Sequence, residues 1–180
     1  MGEKKFVILD RDGVINFDSD NYIKSPDEWI PIPGSLDAIA LLTKAGYPIV
    51  IATNQSGVNR GLYSLDTLQL IHRKMLNAIQ SVGGKIEKIY FCPHRPDENC
   101  ACRKPQPGML QAILRDFNLK SDEVIYIGDS FKDWEVAQTI GCEFILVRTG
   151  NGEKTVKQLP QNDRTKIFDD LSAVVADFIS

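Results

Sequence analysis

An α/β fold with a mostly parallel sheet is predicted by three features of the chain. Short apolar runs rich in β-branched residues alternate with segments of helical periodicity. Several of those runs stop at polar clusters, at Asp10 and Asp12, at Thr53 and at Asp129. Glycines stand where the helical segments should stop, at Gly46, Gly83 and Gly141. Open α/β sheets gather ligands beyond the carboxyl ends of their strands. The polar clusters therefore mark one edge of the sheet as the functional one.

The first run, Phe6-Val7-Ile8-Leu9, reads as a buried strand and ends at Asp10-Arg11-Asp12-Gly13. Aspartates at alternate positions can converge on a divalent cation and a phosphate. Taken alone, the same residues also read as a strand end with an Asp-Gly turn. Residues 14–33 form an irregular loop, long for a connection in such a fold. It reads either as a flap at the ligand edge or as a surface excursion with Trp29 and Ile30 tucked into the core.

Ser35 to Ala45 predicts a helix, with Leu36, Ile39, Ala40 and Leu42 at apolar spacing. Tyr47 to Ala52 predicts a second strand, ending in Thr53-Asn54-Gln55-Ser56-Gly57. Ser64 can cap a helix reaching about Val82, with Leu65, Leu68, Ile71, Met75, Leu76 and Ile79 on its core side. His72, in the same helix, reads as a surface or half-buried histidine. A third strand is expected at Ile86–Phe91, then a loop over 92–105 and a helix over 108–117. Glu123 to Ile127 predicts a fourth strand, leading into Gly128-Asp129-Ser130 and a helix over 131–140. Glu143 to Val147 is the fifth strand. Residues 150–163 are polar, with room for one helical turn, and a short strand over 166–168 and a helix over 170–179 close the chain. With 180 residues and no repeat or linker, one domain over 1–180 is expected.

Composition argues against several partners. The net charge is −3 and no block of Lys or Arg offers a nucleic-acid footprint. No apolar run approaches membrane-spanning length. The opening Met1-Gly2-Glu3-Lys4-Lys5 is too short for an export signal, and Phe6 breaks the N-acylation pattern. A cytoplasmic monomer with neither nucleic acid nor membrane as partner is expected.

Cys92-Pro93-His94 and Cys100-Ala101-Cys102 supply three thiolates and an imidazole, the closed donor set of a structural Zn²⁺ site. Without an export signal, such clustering points to reduced thiols and metal rather than disulfides. The metal would staple an irregular loop and position Arg103 and Lys104, which follow directly. Cys142 stands apart and reads as a core residue.

Asp10-x-Asp12-Gly13-Val14, a strand leading to Thr53, Lys104 ahead of a helix, and Gly128-Asp129 with Asp133 together resemble the four motifs of the haloacid-dehalogenase-like phosphatase superfamily. The resemblance spans about residues 5–150. It implies a Rossmann-like three-layer sandwich and a phosphatase. Asp10 would be the nucleophile, forming an aspartyl phosphate, and Asp12 the general acid and then base. Thr53 would bind the transferring phosphoryl group and Lys104 balance its charge. Mg²⁺ would be held by Asp10, Asp129 and the backbone carbonyl of Asp12. Asp133 would support that metal from behind, or else be an exposed helix residue. Only 42 residues separate Asp10 from Thr53 and 50 separate Thr53 from Lys104, so no separate cap domain is expected. The 14–33 flap and the zinc loop must then shape the pocket.

Two branches of the superfamily carry a Cys-x-His…Cys-x-Cys-Arg-Lys-Pro loop. The chain resembles the D-glycero-D-manno-heptose-1,7-bisphosphate 7-phosphatases, on Thr53-Asn54-Gln55-Ser56-Gly57-Val58-Asn59-Arg60-Gly61, Cys102-Arg103-Lys104-Pro105-Gln106-Pro107-Gly108-Met109 and Val147-Arg148-Thr149-Gly150. The other branch is the histidinol-phosphate phosphatases. A zinc-stapled binding module with a dead site is a third possibility, opposed by the intact motif residues. The heptose resemblance implies a phosphorylated sugar as substrate, within heptose supply for surface polysaccharide. Arg103 would read the remote phosphate or sugar, and Asn54, Gln55 and Ser56 would line the site. Asp18 and Asn21 would contact sugar hydroxyls, and Arg60 would either meet an anion or be solvated. Ser130 stands where some relatives carry a basic residue.

Overall fold

Phe6–Leu9 forms β1, and all four residues are buried, which suits a strand covered on both faces. The computed structural model describes residues 5–180, so the expectations placed on residues 1–4 lie outside the described residues. After β1 come α1 (Ser35–Lys44), β2 (Ile49–Asn54), α2 (Leu65–Ser81), β3 (Lys88–Cys92) and α3 (Gly108–Asp116). Then follow β4 (Val124–Gly128), α4 (Phe131–Ile140), β5 (Glu143–Val147), α5 (Gly152–Val156), β6 (Lys166–Phe168) and α6 (Leu171–Ile179).

The strands make one six-stranded sheet in the order β3-β2-β1-β4-β5-β6, and every pairing is parallel. Successive residues on each strand face opposite ways. Val7, Leu9, Ile49, Ile51, Ile125 and Ile127 therefore share one core with α1, α2 and α6. Ile8, Val50, Tyr126 and Leu146 share the other with α3 and α4. The result is a three-layer Rossmann-like sandwich. Winding reverses between β1 and β4, and that crevice is where such sheets hold ligands.

Local differences from the sequence reading have physical causes. β2 and β3 each end later than predicted, because Thr53 pairs with Phe91 and Asn54 with Cys92. Thr53 is thus the penultimate strand residue, fixed by ladder bonds rather than free in a loop. Trp29 is 2% exposed and buried as one reading of the loop had it, but Ile30 is 56% exposed and Ile32 takes the core position instead. The loop is tied to α2 by Lys74, whose Nζ donates to the carbonyls of Pro26 (2.6 Å) and Trp29 (3.2 Å). Cys142 is buried against the α3/α4 core. Among the described residues, no helix is long and apolar enough to cross a membrane.

Candidate active site

Asp10 follows β1 and Asp129 follows β4, and these strands are neighbours, so the reversal of winding sets the two carboxylates side by side. Carboxylate oxygens of Asp10, Asp129 and Asp133 lie within 4.8 Å of one another, and all three residues are buried. Asp133 is 0% exposed, which removes the alternative of a solvated helix residue. It closes the first turn of α4, taking hydrogen bonds on Oδ2 from Ser130 N (3.1 Å) and Ser130 Oγ (2.8 Å). Its Oδ1 accepts from Lys104 Nζ at 2.7 Å and from the Tyr126 hydroxyl. Both oxygens of Asp133 are therefore committed. Among the described residues, no hydrogen bond engages Oδ2 of Asp10 or Oδ1 of Asp129.

Lys104 Nζ reaches the centre of the site from the zinc loop, bonding the Ala52 carbonyl (2.9 Å) and Tyr126 hydroxyl (2.8 Å) and lying 3.2 Å from Asp10 Oδ1. Burial opposes its charge, but Asp10 and Asp133 outweigh burial and hold the ammonium protonated well above its ordinary range. Asn54 fixes the approach: its Oδ1 accepts from Lys104 N and its Nδ2 donates to Lys104 O, each at 3.0 Å. Asn54, expected against substrate, thus also anchors the loop.

One ammonium cannot balance three buried carboxylates. Burial first, and then the Asp133 charge, raise Asp10 well above the usual carboxylate range and push Asp129 up to about 8. Hard oxygen donors around uncompensated negative charge fit a divalent cation such as Mg²⁺. The backbone makes room for Asp129: a Cβ on Gly13 (φ +82°) would come 2.1 Å from its Oδ2, and one on Gly150 (φ +59°) 2.2 Å. Asn151 N donates to that oxygen at 2.7 Å, and Thr155 Oγ1 to the Asp129 carbonyl at 2.8 Å.

Asp12 faces a different environment. Arg11 Nε and Nη2 donate to its Oδ1 at 3.0 and 2.8 Å, Asn16 Nδ2 donates to the same oxygen at 2.9 Å, and Gln55 Nε2 donates to Oδ2 at 2.9 Å. Burial favours the neutral acid, but the Arg11 charge and these donors outweigh it and hold Asp12 below the usual range. Thr53 is buried beside it, its Oγ1 accepting from Gln55 Nε2 at 2.9 Å.

A cavity of about 550 Å³ opens on these groups, lined by Asp10, Asp12, Asn54, Arg103, Lys104 and Asp129 among others. Lys132 and Arg103 line both this cavity and an adjoining one of about 480 Å³. A smaller one, of about 190 Å³, lies against Asp12, Asp18, Gln55, Ser56 and Arg103. Asp18 is exposed, and its Oδ2 accepts from Asn151 Nδ2 at 3.0 Å. The structure does not bring Asn21 to any of these cavities. Arg60 is exposed, its Nε 3.5 Å from Ser56 Oγ.

Sequence reasoning passed over Arg11, Tyr63, Tyr126, Asn151 and Thr155. Asn151 had a signal, since Thr149-Gly150-Asn151 is a polar cluster past a strand like the others. Tyr126 had none, being one more apolar position in a buried run. His72 is buried, at 7% exposed, rather than half-exposed, and its Nε2 lies 3.3 Å from Arg11 Nη1. The helix turns that face inward beneath the Arg11 side chain.

The ligand atoms of Cys92, His94, Cys100 and Cys102 also lie within 4.8 Å of one another. Cys92 Sγ and Cys102 Sγ are each 3.3 Å from His94 Nδ1, and Arg103 N donates to Cys100 Sγ at 3.3 Å. All four cysteines are free. Three thiols and one imidazole nitrogen converging in this way fit a tetrahedral Zn²⁺ with no open position.

A family model described as HAD-hyrolase-like matches residues 101–174. A D-glycero-beta-D-manno-heptose-1,7-bisphosphate 7-phosphatase from Pseudomonas putida is 51% identical over 176 residues, covering 97% of this chain and 99% of the relative. The enzyme of the same name from Bordetella bronchiseptica is 51% identical over 170 residues, 94% of this chain and 95% of the relative. The crystal structure of D,D-heptose 1,7-bisphosphate phosphatase from B. bronchiseptica complexed with magnesium and phosphate superposes with a TM-score of 0.94 at 50% identity, covering 97% of this chain and 98% of that one. The corresponding enzyme from Burkholderia thailandensis gives 0.77 at 41% identity, covering 98% and 99%.

Proposed function

Because the chain belongs to the D-glycero-beta-D-manno-heptose-1,7-bisphosphate 7-phosphatase family of HAD-like hydrolases, we propose that it removes the 7-phosphate of that bisphosphate, using Asp10 as nucleophile. The observation that carries this reading is the meeting of Asp10, Asp129 and Lys104 at the switch point, at the floor of one cavity. Bound Mg²⁺, held by Asp10, Asp129 and the Asp12 carbonyl, supplies the charge neutralisation that lets an anionic nucleophile approach an anionic ester.

An Asp10 carboxylate oxygen attacks phosphorus and the bond to the sugar oxygen breaks, leaving an aspartyl phosphate and an alcohol. Asp12 gives that alcohol its proton, and then takes one from the water that hydrolyses the acyl phosphate. In the free protein Arg11 keeps Asp12 ionised, the form suited to the second step. An anionic ester entering beside it favours the protonated form needed for the first. Thr53 donates its hydroxyl to the phosphoryl oxygens, and Lys104 balances their charge. Arg103 and Lys132, lining the same cavity, favour a substrate with a second anionic group. Lys132 needs no basic residue at position 130 to supply that charge.

Zn²⁺ on Cys92, His94, Cys100 and Cys102 serves structure, positioning Arg103 and Lys104. Free thiols suit a cytoplasmic enzyme, acting as a monomer on a soluble phosphorylated sugar in the supply of heptose for surface polysaccharide. The test is phosphate release from the α and β heptose bisphosphates, fructose 1,6-bisphosphate and histidinol phosphate, read as kcat/KM with Mg²⁺. A heptose anomer should lead. A lead for histidinol phosphate, or turnover surviving in Asp10→Asn, would refute the reading.

A further inference from the structure

Two side-chain clamps hold Asp12: Arg11, His72 and Tyr63 line none of the three cavities described above, while Gln55 lines only the smallest. On one side stands Arg11, which is 0% exposed. Its guanidinium spends Nε and Nη2 on Asp12 Oδ1, and Nη1 lies 3.3 Å from His72 Nε2. Burial and the Arg11 charge lower His72 to about 3, so its imidazole is neutral and Nε2 can accept from Arg11. On the other side stands Gln55. Tyr63 Oη donates to its Oε1 at 2.8 Å, which turns the amide so that Nε2 forks to Asp12 Oδ2 and Thr53 Oγ1, both at 2.9 Å.

Each clamp is itself held in place. A Cβ on Gly57 would come 2.2 Å from the Tyr63 ring, so that ring packs directly on the backbone after the second strand. His72 belongs to a helix whose neighbours Ile71 and Met75 are buried in the main core. A buried guanidinium with a single carboxylate partner is a costly arrangement for stability alone. Two plain apolar residues would pack this region at less cost. What the arrangement achieves is a carboxylate fixed from both oxygens. Because Thr53 Oγ1 already accepts from Gln55, its own proton is directed elsewhere, toward an incoming phosphoryl group.

We infer that Arg11 with His72, and Gln55 with Tyr63, are positioning residues that fix the Asp12 carboxylate for proton transfer to a poor leaving group. The inference rests on the Asp12 role proposed above. It makes a selective claim. Esters whose leaving group is an alkoxide need a proton delivered; a nitrophenolate does not. Loosening Asp12 should therefore harm sugar phosphates more than aryl phosphates.

The test measures kcat/KM, which covers the steps through departure of the leaving group and not the shared hydrolysis of the aspartyl phosphate, for a heptose bisphosphate and for p-nitrophenyl phosphate in the Mg²⁺-loaded full chain, and takes their ratio. Tyr63→Phe removes a single oxygen, and His72→Phe removes the acceptor facing Arg11. In both, the sugar-to-aryl ratio should fall by about tenfold, part of the larger factor that positioned proton transfer contributes. His72→Gln restores an acceptor and should recover most of the ratio. A role in packing alone would shift the melting temperature and lower both substrates together, and that result overturns the inference. Asp12→Asn is the reference. If its ratio collapses while those of Tyr63→Phe and His72→Phe stay at the wild-type value, the clamps are refuted and the Asp12 role stands. If its own ratio is unchanged, the Asp12 role fails and the clamps fail with it.

Discussion

Lys104 lies nearer to Asp133 than to Asp10, at 2.7 Å from one carboxylate and 3.2 Å from the other. On the mechanism proposed above, the ammonium is thus parked on a residue that takes no part in bond making. Its charge remains available to a phosphoryl group that reaches Asp10. Asp133→Ala leaves this buried cation short of a partner, a change that typically costs about 3–5 kcal/mol. The urea midpoint should fall accordingly, and kcat should fall with it. A midpoint equal to wild type would mean that Asp10 alone suffices to hold the lysine.

Gly13→Ala and Gly150→Ala each place a methyl group against Asp129 Oδ2, at positions whose backbone also has positive φ. Both variants should fold with a lowered melting temperature and lose Mg²⁺ affinity, read from the concentration of Mg²⁺ that restores half-maximal turnover. Gly61→Ala, where a Cβ meets nothing within 4 Å, should leave that concentration unchanged.

Metal analysis should find one Zn²⁺ per chain, retained through gel filtration. Cys100→Ser removes one of the four donors and should release the metal, lower the melting temperature and raise KM while lowering kcat, since Arg103 and Lys104 follow the loop. Cys142→Ser should leave the zinc content intact. Full zinc occupancy in Cys100→Ser would rule out the four-donor site.

His72 gives a pH dependence with a definite sign. Burial and Arg11 depress it from 6.5 to about 3, so the unfolded chain binds more protons than the folded one between those values. Stability then rises with pH through that window and is lost as pH falls from about 6.5. Wild type should lose melting temperature between pH 7 and pH 5 faster than His72→Gln does. Parallel curves would show that some other group sets the acid sensitivity.

Much of this architecture was legible because it depends on neighbours in sequence. An apolar run stopping at Asp10 and a run leading to Asp129 both announce a strand end with ligands beyond it. The zinc donors are readable from spacing alone. Arg11 was not readable, since its burial depends on His72 arriving from another element. His72 did carry a signal: it lies four residues after Leu68 and three before Met75, so the spacing that buries them applied to it as well. The late ends of β2 and β3 are not legible in sequence because ladder pairing, not local preference, extends them.

The position of β1 between β2 and β4 has a bearing on how the protein is made. A ribosome delivers the N-terminal portion first. By the time residue 102 has emerged, every thiol and imidazole of the Cys/His loop exists, and the strand that carries Cys92 can already pair with its neighbour. Asp129 comes later, and so does the strand that closes the other flank of β1. The two metal sites therefore become available at different moments of synthesis, zinc before magnesium. A nascent chain can hold its staple while still lacking the centre that would attack a phosphate ester.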